Sequence, residues 1–67
     1  MQFIINGKSR HFEVVSLSVA NLVTHLNLEG KRLAIERNGE IIPRSQFADT
    51  QLLDGDKLEI VGAVGGG

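Results

Sequence analysis

The sequence predicts an α+β fold in which one helix packs across a mixed β-sheet as a two-layer sandwich. Two Asn-Gly pairs, at residues 6–7 and 38–39, are typical of tight hairpins, and each lies between short apolar runs. Helical periodicity is confined to residues 18–26. The first and last strands are joined through this helix, so they can lie side by side and parallel at the centre of the sheet.

The first hairpin is predicted from the apolar run at residues 3–5, the Asn-Gly turn at 6–7 and an alternating run at 10–14. Asn and Gly both tolerate positive φ, which a type I′ turn requires. The alternation of the second run directs Phe12 and Val14 towards the core.

The single helix is predicted to begin after Ser18, whose side chain can cap the free N–H groups of the first turn. Its apolar residues follow the spacing i, i+3, i+4 and i+7, and they are Val19, Leu22, Val23 and Leu26. This stripe is one face wide, which favours a helix lying on a sheet. Asn27 or Gly30 would end the helix in a left-handed conformation.

A second β section follows the helix. Residues 32–37 alternate and residues 40–42 form a return strand, which Pro43 ends because it lacks an N–H donor. A short helical turn at residues 45–48 is expected to place Phe47 in the core.

The last strand is predicted at residues 57–61, after a turn at 54–56. The residues expected to line the interface between sheet and helix are Phe3, Ile5, Phe12, Val14, Val19, Leu22, Leu26, Ile35, Leu58 and Ile60.

Length and composition bound the function. The 67 residues allow one domain, predicted at 1–61, followed by a glycine-rich tail at 62–67. The absence of cysteine excludes a disulfide framework, a zinc-thiolate site and a cysteine nucleophile, and two histidines are too few for a metal cluster. We therefore expect no metal and no cofactor.

Charge and hydropathy narrow the partners. Seven basic and eight acidic residues give a net charge of −1, which does not favour nucleic-acid binding. No apolar run is long enough to span a bilayer, and no signal-peptide pattern precedes the first strand. The expectation is a cytoplasmic protein.

The most informative segment is Val-Gly-Gly-Gly at residues 64–67. Glycine has no Cβ, so such a segment can enter a narrow channel and bring a terminal carboxylate close to another protein's backbone. The carboxylate of Gly67 is thus the candidate working group. A frayed terminus or a cloning linker is the alternative interpretation.

The order of elements, with a diglycine after the last strand, resembles the β-grasp of ubiquitin-like sulfur carriers. The segments 33–44 (LAIERNGEIIPR), 54–56 (DGD) and 64–67 (VGGG) look like those of the ThiS family of thiamine biosynthesis. The resemblance covers essentially the whole chain.

The resemblance implies a chemistry for the tail. An adenylating enzyme would activate Gly67, a sulfur-donating enzyme would replace one carboxylate oxygen, and the thiocarboxylate would be delivered to a thiazole synthase. Gly66 and Gly65 would give backbone clearance in the enclosing channels, and Val64 would be an apolar anchor at the channel mouth. The chain itself would catalyse nothing.

A docking face is expected on the sheet surface opposite the helix. Ile4, Ala34 and Val61 are predicted to form one small apolar patch there, with Glu36 and Glu59 on its rim; His11 and Glu13 point to the same side. Scattered apolar surface, which is normal in soluble proteins, is the alternative.

Two further clusters have plainer interpretations. Asp54 and Asp56, across a glycine, fall far short of a calcium ligand set and are typical of a turn. Residues 36–38 are explained by hairpin chemistry, with an enzyme-docking role as the alternative. His11 and His25 lack the serine and acid partners of a hydrolase.

Three rival functions remain open from sequence. The first is a sulfur carrier resembling the small subunit of molybdopterin synthase. The second is a β-grasp binding module with an incidental glycine tail, and the third is a modifier that is conjugated to other proteins.

Overall fold

The computed structural model describes residues 1–62. In this part of the chain, one α-helix and five strands surround a single core, together with a short 3-10 helix at Arg44–Gln46. In chain order the elements are β1 (Gln2–Ile5), β2 (Lys8–His11), α1 (Val19–His25), β3 (Leu33–Arg37), β4 (Glu40–Ile42) and β5 (Lys57–Gly62).

The strands form one mixed sheet in the order β2-β1-β5-β3-β4. β1 and β5 are parallel neighbours at the centre, with Ile5 opposite Leu58, and the other strand pairs are antiparallel. The helix lies in the long connection between the two central strands, which is what a parallel crossover requires. This confirms the predicted α+β fold with a β-grasp topology.

The position of β2 was predicted wrongly. It spans Lys8–His11 and not residues 10–14. The two-residue turn at Asn6 and Gly7, with φ of 51° and 82°, forces Ile5 to pair with Lys8, so the pairing ends where β1 begins, at Gln2 opposite His11. Phe12 and Val14 therefore follow the strand, but both still pack against the core from half-buried positions.

The helix is confirmed with its predicted cap. The Ser18 hydroxyl accepts a hydrogen bond from the Asn21 N–H at 3.1 Å, which satisfies one free donor of the first turn. Leu22 is fully buried. Two residues after the helix ends at His25, Asn27 has a φ of 59°, the left-handed conformation expected of one of the two candidates.

β4 has its predicted bounds, and the remaining boundaries differ by no more than two residues. β3 begins at Leu33, and the 3-10 helix begins at Arg44, one residue before the predicted turn. Phe47 packs against the core as predicted, from a half-buried position. β5 extends to Gly62, because its backbone pairs with Leu33 and pairing does not require a side chain.

The buried core contains four residues outside the predicted interface. One of them, Val23, is on the predicted apolar stripe of α1, and the other three are not on it. Ile42 lies on β4, and Leu17 and Leu52 lie on the two loops beside the start of α1. These loops are joined by a hydrogen bond of 2.8 Å from the Leu52 N–H to the Leu17 carbonyl and by a bridge between Ser18 and Gln51. The buried set is Phe3, Ile5, Leu17, Val19, Leu22, Val23, Ile35, Ile42, Leu52, Leu58 and Ile60.

The helices within residues 1–62 are all too short to cross a membrane.

Candidate functional site

The candidate site is built around β5, the central strand from which the glycine-rich segment continues. The sheet face opposite the helix, called here the outer face, carries Glu59 and Val61 from β5. Across from them on β3 lie their register partners, Glu36 and Ala34 respectively. The outer face thus presents an apolar pair and an acidic pair in consecutive rows.

The apolar pair lies immediately before the end of β5. Val61 is 57% exposed although it is on a central strand, and Ala34 beside it is half-buried. Gly62, the next residue, is the last that the structure describes. A protein that held the segment beyond Gly62 would therefore meet Ala34 and Val61 first.

The prediction of one apolar patch formed by Ile4, Ala34 and Val61 was wrong, because the register of β1 places Ile4 away from the other two. Ile4 is 40% exposed on the outer face, but its partner on β5 is Lys57, four residues before Val61. Four residues of strand span about 13 Å, and the acid Glu59 lies between them. The outer face thus has Ala34 and Val61 at its tail end and Ile4 at the other end.

The acidic pair carries an energetic cost. Glu36 and Glu59 are opposite each other on neighbouring strands, and like charges in that position are destabilising. A further residue of this face was not predicted from the sequence: Ile41 on the edge strand β4 is 63% exposed and pairs with Glu36. The outer face therefore has apolar surface on two sides of its acids.

Residues 37 and 38, considered above for enzyme docking, are engaged within the domain. The buried Asp56 carboxylate, 7% exposed, accepts hydrogen bonds from Arg37 Nε at 2.8 Å and Asn38 Nδ2 at 3.0 Å. It also accepts one from the Leu53 N–H at 2.8 Å. We call this group of contacts the Asp56 clamp; it supports the interpretation of these residues as turn chemistry.

The Asp56 clamp also sets the ionisation of its carboxylate. Burial alone would raise the pKa of Asp56, but the hydrogen bonds from Leu53, Asn38 and Arg37 and the Arg37 charge outweigh it, so the pKa lies below its ordinary value. Asp54 accepts a bond of 2.6 Å from the Gln2 N–H. Both carboxylates therefore already have N–H donors, which supports a turn and not a cation site.

Asn6 holds β5 near its C-terminal end, whereas the Asp56 clamp lies at its N-terminal end. Its side chain accepts from the Ile60 N–H at 2.7 Å and donates to the Ile60 carbonyl at 3.0 Å, like one more rung of the sheet. Asn38 similarly accepts from the Lys57 N–H at 3.0 Å. From the sequence, both asparagines were expected to act only through their positive φ. In the predicted topology, however, both turns already lie beside the last strand.

Each histidine contacts a neighbouring side chain of the domain. His11 lies on β2 with its Nε2 3.7 Å from Glu13 Oε1, and the His25 ring contacts the Phe12 ring edge-on. No group of three or more His, Cys, Asp or Glu side chains in residues 1–62 is placed to hold a metal ion.

Val64, Gly65, Gly66 and Gly67 lie outside the described residues, so their roles remain predictions. What the structure gives is the base from which they continue: a central strand fastened at one end by the Asp56 clamp and at the other by Asn6.

The sheet order, the single helix across it and the glycine-rich sequence after β5 define a ubiquitin-like β-grasp protein. The profile of the ThiS family matches residues 3–67, nearly the whole chain including the glycines. The chain belongs to the ThiS family.

Relatives agree with this assignment. The sulfur carrier protein ThiS of Bacillus subtilis is 36% identical over 63 residues, which are 94% of this chain and 96% of that protein. The crystal structure of the thiamine biosynthesis protein (ThiS) from Geobacter metallireducens superposes with a TM-score of 0.87 at 33% identity, covering 100% of both chains.

A third relative has a different size. The thiazole synthase of Paramagnetospirillum magneticum is 45% identical over 67 residues, which are 100% of this chain but only 20% of that protein. The chain thus spans one fifth of a much longer relative.

Proposed function

We propose that the chain is a sulfur carrier protein in the biosynthesis of the thiazole moiety of thiamine, and that Gly67 carries the sulfur. The observation that carries this proposal is the match along nearly the full length of the Bacillus subtilis sulfur carrier. The family match, which runs through residue 67, supports the choice of the glycine segment as the working group.

The proposed chemistry has two steps at one carbonyl. A Gly67 carboxylate oxygen attacks the α-phosphorus of ATP, and pyrophosphate leaves to give an acyl-adenylate. Hydrosulfide, HS⁻, supplied by a donor enzyme then attacks the carbonyl carbon, and AMP leaves with the oxygen that bridged carbon and phosphorus. Loss of the S–H proton leaves a thiocarboxylate, in which sulfur has replaced one carboxylate oxygen. The resulting thiocarboxylate is the nucleophile that a thiazole synthase consumes.

In this proposal the residues before Gly67 allow the tail to enter the active sites of the partner enzymes. Gly65 and Gly66 let the segment enter the enclosed sites of two different enzymes, because bare backbone needs the least width. Val64 anchors the segment at the channel mouth. The fastened β5 gives these residues a fixed base, and the outer face beside it provides area for recognition.

The partners follow from the same chemistry. They are an adenylating enzyme, a sulfur-donating enzyme and a thiazole synthase, and the similarity to one fifth of a thiazole synthase supports the last of these. The chain acts as a cosubstrate and not as a catalyst. The cytoplasmic location stays a prediction.

The thiamine pathway is favoured over the molybdopterin pathway because the relatives named above are thiamine proteins. A binding module with an incidental tail would function without its glycines, and a protein modifier would form isopeptide bonds to lysines. Both alternatives therefore differ from the proposal in a measurable product.

The first step provides the test. When the chain is mixed with ATP and the adenylating enzyme of the same organism, pyrophosphate should be released from ATP. A chain lacking residues 66–67 should give no such release. Gly66→Ala should slow the release strongly while thermal melts stay unchanged, because a methyl group must fit where bare backbone passes. Equal release by the shortened chain would contradict the proposal.

A further inference from the structure

A cavity lies on the helix side of the sheet, at the end of β5. It is an open cavity of about 430 Å³, and its wall includes Gly62. Its apolar lining comes from β1, β3, β5 and the end of α1 with the loop that follows, and consists of Ile5, Leu26, Leu28, Leu33 and Ile60. This tail-base cavity is on the opposite side of the sheet from the outer face.

The charged residues in the lining of the tail-base cavity are both basic. They are Arg10 on β2 and Lys31 on the loop after α1, and both are exposed. Neither forms an ion pair with any residue in 1–62. The Arg10 guanidinium lies 5.8 Å from the centre of the Phe12 ring, which restrains its position beside the cavity.

The position of Gly62 ties the cavity to the tail. Residues 63–67 reach at most about 18 Å when fully extended. An enzyme that encloses Gly67 therefore has its surface within that distance of Gly62, a residue of the cavity wall. The cavity mouth is therefore within reach of such an enzyme, as is the pair Ala34 and Val61 on the outer face.

We propose that the tail-base cavity is a docking site for the thiazole synthase, and that it receives an apolar side chain of the synthase next to a carboxylate. The apolar floor selects the first group and the two cations select the second, because charge complementarity at an interface penalises the wrong partner. The inference rests on the proposed function, in which three enzymes approach the tail, and the similarity of this chain to one fifth of a thiazole synthase favours the synthase among them. It gives the carrier two recognition surfaces of opposite charge, one on each side of the sheet.

The test is a charge reversal with a matched control. The variant Arg10→Glu/Lys31→Glu alters the cavity. The control Arg44→Glu/Lys57→Glu makes the same change in net charge at exposed residues, and neither these residues nor their neighbours in the chain are part of the lining. Calorimetric titration of each chain into the thiazole synthase should give a dissociation constant at least about tenfold higher for the cavity variant. The control should change it less than about threefold.

Two further measurements keep the outcomes distinct. Thermal melts check folding, and Arg10→Gln/Lys31→Gln replaces the reversal if that variant does not fold. Equal weakening by the cavity and control variants, or no weakening by either, would overturn the inference while leaving the proposed function in place. A wild-type chain that does not bind the synthase at all would contradict both.

Discussion

At the scale of single residues, the asparagines of the two hairpin turns have two tasks each. Asn6 and Asn38 adopt φ near 50°, which Asn tolerates better than most residues, and their side chains hydrogen-bond to β5. A glycine in either position would satisfy the turn but could not hold the strand. The turns therefore help to fix the strand from which the tail continues.

Because Asn6 both adopts the positive φ of the turn and bonds to β5, Asn6→Gly should remove only the second function. Glycine adopts the positive φ without strain, so the loss of stability beyond that of a control glycine substitution reports the two hydrogen bonds to Ile60. We expect the free energy of unfolding in urea to fall by about 1–2 kcal/mol.

Asn27→Gly is the matched control for Asn6→Gly. Asn27 also has a positive φ, of 59°, and its side chain makes no hydrogen bond to residues 1–62. It should change stability by less than about 0.5 kcal/mol. Equal effects of the two substitutions would show that the contacts of Asn6 contribute nothing.

Asp56→Asn tests the Asp56 clamp. At neutral pH it should destabilise the domain by about 2–4 kcal/mol, because Arg37 and the Leu53 N–H lose an anionic acceptor in a buried position. Exposed Asp49→Asn is the control.

The clamp also predicts a pH dependence with a definite sign. The folded pKa of Asp56 is lowered, so its contribution to stability is complete above the unfolded pKa of about 4 and is lost as the pH falls through the folded pKa. The difference between wild type and Asp56→Asn in urea unfolding should therefore shrink below about pH 4. A difference that stayed constant down to pH 2 would contradict the account.

At the scale of elements, α1 depends on packing more than on its own propensity. A helix of seven residues is too short to be stable alone in water. Leu22→Ala removes a fully buried side chain and should cost about 2–5 kcal/mol. Thr24→Ala, on the exposed side of the same helix, should cost less than about 0.5 kcal/mol, and thermal or urea unfolding would compare them.

The outer face yields a prediction about recognition. Val61→Asp should weaken binding to the adenylating enzyme and to the thiazole synthase, because it places a charge in the apolar pair beside the end of β5. Folding should be little affected, since Val61 is 57% exposed.

Leu53→Asp is the control for Val61→Asp, because Leu53 is similarly exposed but lies in the loop before β5, at the strand end away from Gly62. Glu59→Lys should act mainly on the association rate, and more at low salt. Calorimetry with a folded Val61→Asp variant that binds both enzymes normally would place recognition elsewhere.

At the scale of the whole molecule, the sequence predicted what local signals determine. The Asn-Gly pairs, the Ser18 cap and the stripe containing Leu22 each specify structure within a few residues, and they give the correct order of elements. The position of β2 was missed because turn geometry, not its alternating pattern, sets where pairing starts.

Features that join distant segments were not predictable in the same way. Ile4 lies opposite Lys57 only because of the parallel register of β1 and β5, and no local pattern specifies that register. Leu17 and Leu52 are core residues of irregular loops, and the Asp56 clamp joins residues 18 and 19 positions apart. The layout of the candidate docking residues on the sheet could therefore not be predicted from the sequence, and their roles stay predictions.

Tandem mass spectrometry after reconstitution is the decisive measurement for the proposal that Gly67 carries the sulfur. The chain would be incubated with its adenylating enzyme, ATP and a sulfur source, then compared with a reaction lacking ATP. We expect an ATP-dependent replacement of one oxygen by sulfur, located on Gly67. Sulfur on any other residue, or no ATP-dependent change with an enzyme of verified activity, would contradict it.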